Sequence, residues 1–244
     1  MAVLPTFPDL LGLMAQGHWV YDDFDHYVTA DLWTTVATDS GTVAVSDGVR
    51  GEVALTCSDG TVADNDEIYM GTTTEIFKFA ANKPLYAECR LKYTEQSTDD
   101  ANVAFGLKDA VAANSLLDDG GGPAASYSGA LFYKVDGGTV WNVENSISTT
   151  QKTTTLDATG SLTGEAQTAG GGTYQVLRIE CLPKGGSSGT LQDIMFYIDG
   201  VCVAKHTDQS ISSATDMELF VGAKNGGANN EVVTVDYIWA WQKR

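Results

Sequence analysis

Five aspartates sit in two short oxygen-rich stretches: Asp22, Asp23 and Asp25 in DDFDHY, and Asp64 and Asp66 in DNDE. Calcium takes six to eight oxygen ligands from loops of this kind, so these carboxylates are the candidate metal ligands. Neither stretch has the D-x-[DN]-x-[DN]-G spacing of a dedicated calcium loop. The expectation is therefore a protein without a cofactor, with Ca²⁺ as the one alternative. His18, His26 and His206 are scattered and form no metal or triad pattern. Cys57, Cys89, Cys181 and Cys202 include no C-x-x-C pair, and each lies in an apolar run, so they read as small buried thiols. Trp33, Trp141, Trp239 and Trp241 could stack their flat faces on sugar rings. Strict alternation puts Trp239 and Trp241 on the face of Val233, Val235 and Tyr237, which assigns them to the core. Trp141, just after the glycine turn at Gly137 and Gly138, is left as the exposed aromatic and the candidate glycan contact.

The elements that must carry these residues are short runs of alternating apolar and polar residues, bounded by Gly, Asp, Asn or Ser, the pattern of half-buried strands. In LYAECRLKY, Leu85, Ala87, Cys89, Leu91 and Tyr93 face one side and Tyr86, Glu88, Arg90 and Lys92 the other. QVLRIECL puts Leu177, Ile179 and Cys181 inward, and MELFVGAK puts Met217, Leu219, Val221 and Ala223 on one face. IMFYIDGVCVAKH reads as a tight hairpin, because Asp199 and Gly200 tolerate the positive φ angles of a type I′ turn. Similar turn residues occur at Ser46, Asp47 and Gly48, at Ser58, Asp59 and Gly60, and at Asp136, Gly137 and Gly138. No segment holds a helical period, and roughly a dozen strands are expected. Two stretches poor in apolar residues, Asp109 to Gly129 and Ser146 to Gly172, read as long loops.

At 244 residues the chain suits one large sandwich. Its 14 Lys and Arg against 32 Asp and Glu give a net charge of -18, which repels a phosphate backbone and argues against a nucleic-acid partner. No apolar run is long enough to span a membrane, and the N-terminus lacks the basic region of an export signal, so no membrane partner is expected. Residues 1 to 20 differ from the rest, with Pro5, Pro8 and an apolar cluster of Leu10, Leu11, Leu13 and Met14. They read as an N-terminal arm that either docks on another subunit or closes the sandwich, ahead of a domain over 21–244.

The run LFVGAKNGGANNEVVTVDYIWAWQ, with VDYI at Val235 to Ile238, resembles the final strands of concanavalin A-like lectin and glucanase domains. The opening DDFDHY, Asp22 to Tyr27, and the hairpin IMFYIDGVCVA are similar to other strands of that family, which includes laminarinases and laminin-G-like modules. The resemblance implies an all-β fold, an antiparallel two-sheet β-sandwich of the concanavalin A-like jelly-roll type with a short N-terminal arm. Enzymes on this fold carry paired carboxylates in an E-x-D-x-x-E type pattern. No such pattern occurs here, so a non-enzymatic protein is expected. The chain is also similar to lectin-like proteins of phage structural gene clusters. That implies a virion component, such as a capsid decoration or head-surface protein, with Leu10, Leu11, Leu13, Met14 and Trp19 anchoring a homo-oligomer to a capsid or other virion protein. One alternative is a carbohydrate-binding module for host or glycan recognition. A second is a glycoside hydrolase with two carboxyl groups about 5 to 10 Å apart in a cleft.

Overall fold

The structure, a computed structural model, describes residues 15–46, 51–58, 60–184 and 189–244. The arm residues Leu10, Leu11, Leu13 and Met14 and the turn residues Asp47, Gly48 and Asp59 lie outside the described residues. In chain order the strands are β1 (Gly17–Asp22), β2 (Trp33–Ala37), β3 (Thr42–Ser46), β4 (Glu52–Thr56), β5 (Glu67–Thr72), β6 (Phe77–Lys78), β7 (Leu85–Tyr93) and β8 (Ala101–Lys108). They continue as β9 (Gly129–Lys134), β10 (Asn142–Ile147), β11 (Thr150–Thr155), β12 (Gln175–Pro183), β13 (Leu191–Ile198), β14 (Val201–Ser210), β15 (Asp216–Asn225) and β16 (Val232–Lys243).

All pairings between these strands are antiparallel, and they make two eight-stranded sheets packed as a sandwich. The first runs β14-β13-β12-β7-β16-β4-β3, with β1 also paired to β16. The second runs β11-β10-β9-β8-β15-β5-β2, with β6 also paired to β15. The alternation expected of β7, β12 and β15 is present: Leu85, Ala87, Cys89, Leu177, Ile179, Met217 and Leu219 all point into the core between the sheets. The seven described phenylalanines, Phe24, Phe77, Phe79, Phe105, Phe132, Phe196 and Phe220, are all buried. Cys57, Cys89 and Cys181 are free buried thiols and Cys202 is half-buried.

Three features differ from the sequence reading. Residues 17–20, placed in the arm, belong to the sandwich: β1 pairs with β16 from Gly17↔Lys243 to Asp22↔Ile238. Trp141 is fully buried, not exposed. The segment after β11 folds back over it, with Trp141 N donating to Gln167 O and Leu156 N to Trp141 O. The indole therefore turns inward, edge-on to Tyr93 and Phe132, and its Nε1 donates to Gln175 Oε1 at 3.0 Å. Third, β16 contains a β-bulge. Val235 pairs with Leu91 but Tyr237 pairs with Arg90, so Asp236 is an extra residue. Because side chains alternate with period two, one extra residue exchanges the faces of everything after it. Val233 and Val235 point inward before the bulge. After it Ile238 and Ala240 do, and Tyr237, Trp239 and Trp241 turn to the outside.

The segment Asp109 to Ser128 is a strap across the outer face of the second sheet. Its Leu116 and Tyr127 pack with Tyr69, Ala104, Leu131, Tyr133 and Phe220 as a second apolar cluster. Buried Lys224 anchors it: Nζ donates to Asn114 Oδ1 at 2.6 Å and to Leu116 O at 3.2 Å, and is paired with Asp118 and, at 3.3 Å, with Glu67. Ser146 to Gly172 is not a single loop, since it holds the end of β10 and the polar edge strand β11.

Candidate functional site

With the second sheet strapped, the sheet surface left open among the described residues is the outer face of the first. Cross-strand register sets its rows. One row runs Trp19 (β1), Trp241 (β16), Tyr86 (β7), Glu180 (β12) and Met195 (β13). The next runs Tyr21, Trp239, Glu88, Arg178 and Tyr197 on the same strands. Beyond it Tyr237 lies opposite Arg90. Trp19 and Tyr21 are 47% and 51% exposed, and Tyr86, Tyr237, Trp239 and Trp241 are half-buried by their neighbours.

Polar groups hold the rings by their edges. Glu88 Oε1 accepts from Tyr237 OH at 2.9 Å and from Trp239 Nε1 at 3.0 Å. Arg178 lies 3.0 Å from Glu180 and 3.9 Å from Glu88, with its guanidinium 4.5 Å from the Tyr197 ring centre. Arg90 is paired with Asp236 at 2.5 Å and lies 3.8 Å from the ring centre of Tyr174, whose hydroxyl donates to Glu52. The Arg90 pairing also secures the bulge. Tyr86 packs against Trp241 with ring centres 5.9 Å apart. Burial, with Glu180 beside it, pushes the Tyr197 hydroxyl up to about 12, and burial beside Glu88 also raises that of Tyr237. Both remain proton donors at neutral pH. Tyr21 separates two shallow hollows: about 330 Å³ bordered by Asp22, Asp23, Asp25, His26 and Trp33, and about 370 Å³ bordered by Asp23, Arg90, Asp236 and Tyr237.

Of the residues singled out by sequence, Asp22, Asp23 and Asp25 do come together at the first hollow, but Asp22 is a local fastener. Its Oδ1 accepts Phe24 N at 2.8 Å and its Oδ2 accepts the Nε1 of buried Trp33 at 2.6 Å. Asp64 and Asp66 belong to the approach to β5 in the second sheet, where Asp66 accepts Ala63 N at 2.7 Å. Among the described residues no three His, Cys, Asp or Glu side chains group as a metal centre. His206 is buried between Asn145 and Thr154, and burial, then Lys152, lowers its pKa to about 4. Trp19 lies on the aromatic face; Trp141 does not. Sequence alternation placed Tyr86, Glu88 and Arg90 on an outward face, but strict alternation through the bulge hid Trp239 and Trp241 from it.

The oxygens of Glu88 and Glu180, the neighbouring carboxylates of this face, point to an arginine and to ring donors.

No protein-family model matches the chain, and no curated protein sequence does. Solved structures do. The Emp47p carbohydrate recognition domain superposes with a TM-score of 0.58 at 11% identity, covering 94% of this chain and 98% of that one. An endo-1,3-β-glucanase from Streptomyces sioyaensis gives 0.56 at 15% identity, covering 100% and 99%. Peanut lectin gives 0.55 at 11% identity, covering 93% and 98%. At such identities the likeness is one of architecture, and with the sheet order above it shows that the chain is folded as a concanavalin A-like lectin and glucanase sandwich.

Proposed function

We propose that this protein is a non-catalytic carbohydrate-binding sandwich that takes glycans on the aromatic outer face of its first sheet. One observation carries the reading. Of the five Trp and ten Tyr in the chain, eight lie on or border this one face: Trp19, Tyr21, Tyr86, Tyr174, Tyr197, Tyr237, Trp239 and Trp241. The described phenylalanines, by contrast, are all in the interior. Rings with a polar edge and an apolar face suit a half-wet surface. The apolar face of a sugar can stack on them while its hydroxyls reach Glu88, Glu180 and the arginines, the mix of apolar lining and few orienting polar groups typical of ligand sites. The fold alone does not assign a function. That Emp47p's domain is named for carbohydrate recognition, and that another neighbour is a lectin, is consistent with this use of the scaffold.

The test is a glycan array and gel electrophoresis through embedded polysaccharides, comparing the natural chain with Trp239→Ala and Trp241→Ala. Retardation by at least one glycan is expected, lost in both variants while their melting temperatures stay near the original. If the natural chain is not retarded but forms a defined oligomer that Trp239→Ala dissociates, the face is an assembly surface. The virion role expected from the sequence then becomes the better reading.

A further inference from the structure

We infer that the face takes the interior of an extended, uncharged glycan chain, in preference to a terminal sugar or an acidic polymer. This rests on the sugar-binding reading above and adds the class of ligand.

Shape is the first argument. A site for a chain end surrounds one ring, whereas the aromatic positions here form an open grid. Trp19 and Tyr21 on β1, Tyr237, Trp239 and Trp241 on β16, and Tyr86 on β7 occupy three adjacent strands. At ordinary strand spacing and rise that is roughly 10 Å by 13 Å, wider than one sugar ring. In-register neighbours extend the surface: Tyr21 and Trp239 lead through Glu88 and Arg178 to Tyr197 on β13. A bound chain therefore meets aromatic faces at both ends of a row and hydrogen-bonding groups in its middle.

Charge is the second. The face holds Arg90, Lys92, Arg178 and Lys205, and each has a carboxylate within 3.3 Å: Asp236, Glu52, Glu180 and Asp193 respectively. No cation of this set is left without a carboxylate to receive a uronate or sulfate, and the net charge of -18 repels a polyanion as a whole. Hydroxyl groups remain as suitable partners, because paired carboxylates and guanidiniums keep further lone pairs and N–H groups for neutral ligands. The same net charge opposes face-to-face docking of a second copy.

The experiment is titration calorimetry with glucose and mannose, then cello-, laminari- and manno-oligosaccharides from dimers to hexamers, with polygalacturonate as the acidic polymer. In at least one neutral series, affinity is expected to rise about tenfold or more from dimer to hexamer. Single sugars and polygalacturonate should give no heat, and binding should persist when salt shortens the Debye length to a few ångströms, roughly 3 Å at molar salt. Trp19→Ala and Tyr197→Ala, at the two ends of the grid, should bring the plateau to shorter oligomers, lowering hexamer affinity more than trimer affinity. Single-sugar binding equal to that of the hexamer, or binding of polygalacturonate that fades with salt, overturns the inference. If Trp239→Ala abolishes such binding, the sugar-binding reading survives that failure. No heat with any of these probes, together with a blank glycan array, overturns both.

Discussion

Asp22 shows what a carboxylate beside a buried indole does in this protein. It satisfies the Trp33 and Phe24 N–H groups at once, so Asp22→Ala should cost about 2 kcal/mol by chemical denaturation, the desolvation cost of part-buried donors left without acceptors. Asp22→Asn, which keeps one acceptor oxygen, should cost less. If added calcium raises the melting temperature of the natural chain and a chelator lowers it, Asp22 and its neighbours act as metal ligands instead. The tryptophans divide in the same way. Trp141→Ala empties a fully buried site between Tyr93 and Phe132 and should lose about 3–5 kcal/mol. Trp239→Ala, on the half-buried outer face, should lose no more than about 1 kcal/mol. Equal losses in the two variants would mean that Trp239 is a core residue after all.

The strap and the last strand carry the next level. Lys224→Met removes the cation beside buried Glu67 and should cost about 3–5 kcal/mol, the usual result of leaving one member of a buried pair alone. Faster proteolysis within 109–128 should accompany it, and Lys224→Met with Glu67→Gln should recover part of the loss. Unchanged proteolysis would show that the apolar cluster around Leu116 holds the strap without the ion pair. The strands that were legible in sequence, β7, β12 and β15, pair residue for residue with one face on the core, so period two survives intact. The Asp199–Gly200 turn was legible because its positive φ angles, 49° and 81°, are a local demand on residue type. Trp141 was not, because its cover comes from residues 156–169, and nothing local records that contact. β11 was missed because TQKTTT is an edge strand with both faces wet, which leaves no apolar alternation to read. At β16 strict alternation put one set inward, Tyr237 with Trp239 and Trp241, and the structure puts a second inward in its place, Ile238 with Ala240. The acidic residue interrupting the apolar run, Asp236, was the one sign favouring the second.

For the molecule as a whole, pH response follows from three desolvated groups, half-buried Glu218 and buried Glu231 and His206. Burial raises Glu218 and Glu231 to about 7, while His206 is lowered to about 4. Between the ordinary carboxyl value of 4.5 and about 7 the folded protein holds protons on the two glutamates that the unfolded chain releases, so their contribution to stability falls as pH rises. His206 has the opposite sign: between about 4 and 6.5 it is neutral when folded and protonated when unfolded, so its contribution grows with pH. Two carboxyl groups outweigh one imidazole, and charge repulsion at a net -18 acts in the same direction as they do. The melting temperature should therefore fall from about pH 5 to pH 7, and Glu218→Gln with Glu231→Gln should flatten the profile; a rise over that range would place control with His206. The bulge at Asp236 has a meaning in heredity as well. Without the codon for Asp236, ordinary alternation after inward Val235 would still turn Tyr237, Trp239 and Trp241 outward, since Tyr237 already lies opposite outward Arg90. A relative of this chain lacking that codon would keep its aromatic face and lose the carboxylate that neutralises Arg90, so a change in the charge of the ligand taken would be one mutational step, abrupt and reversible.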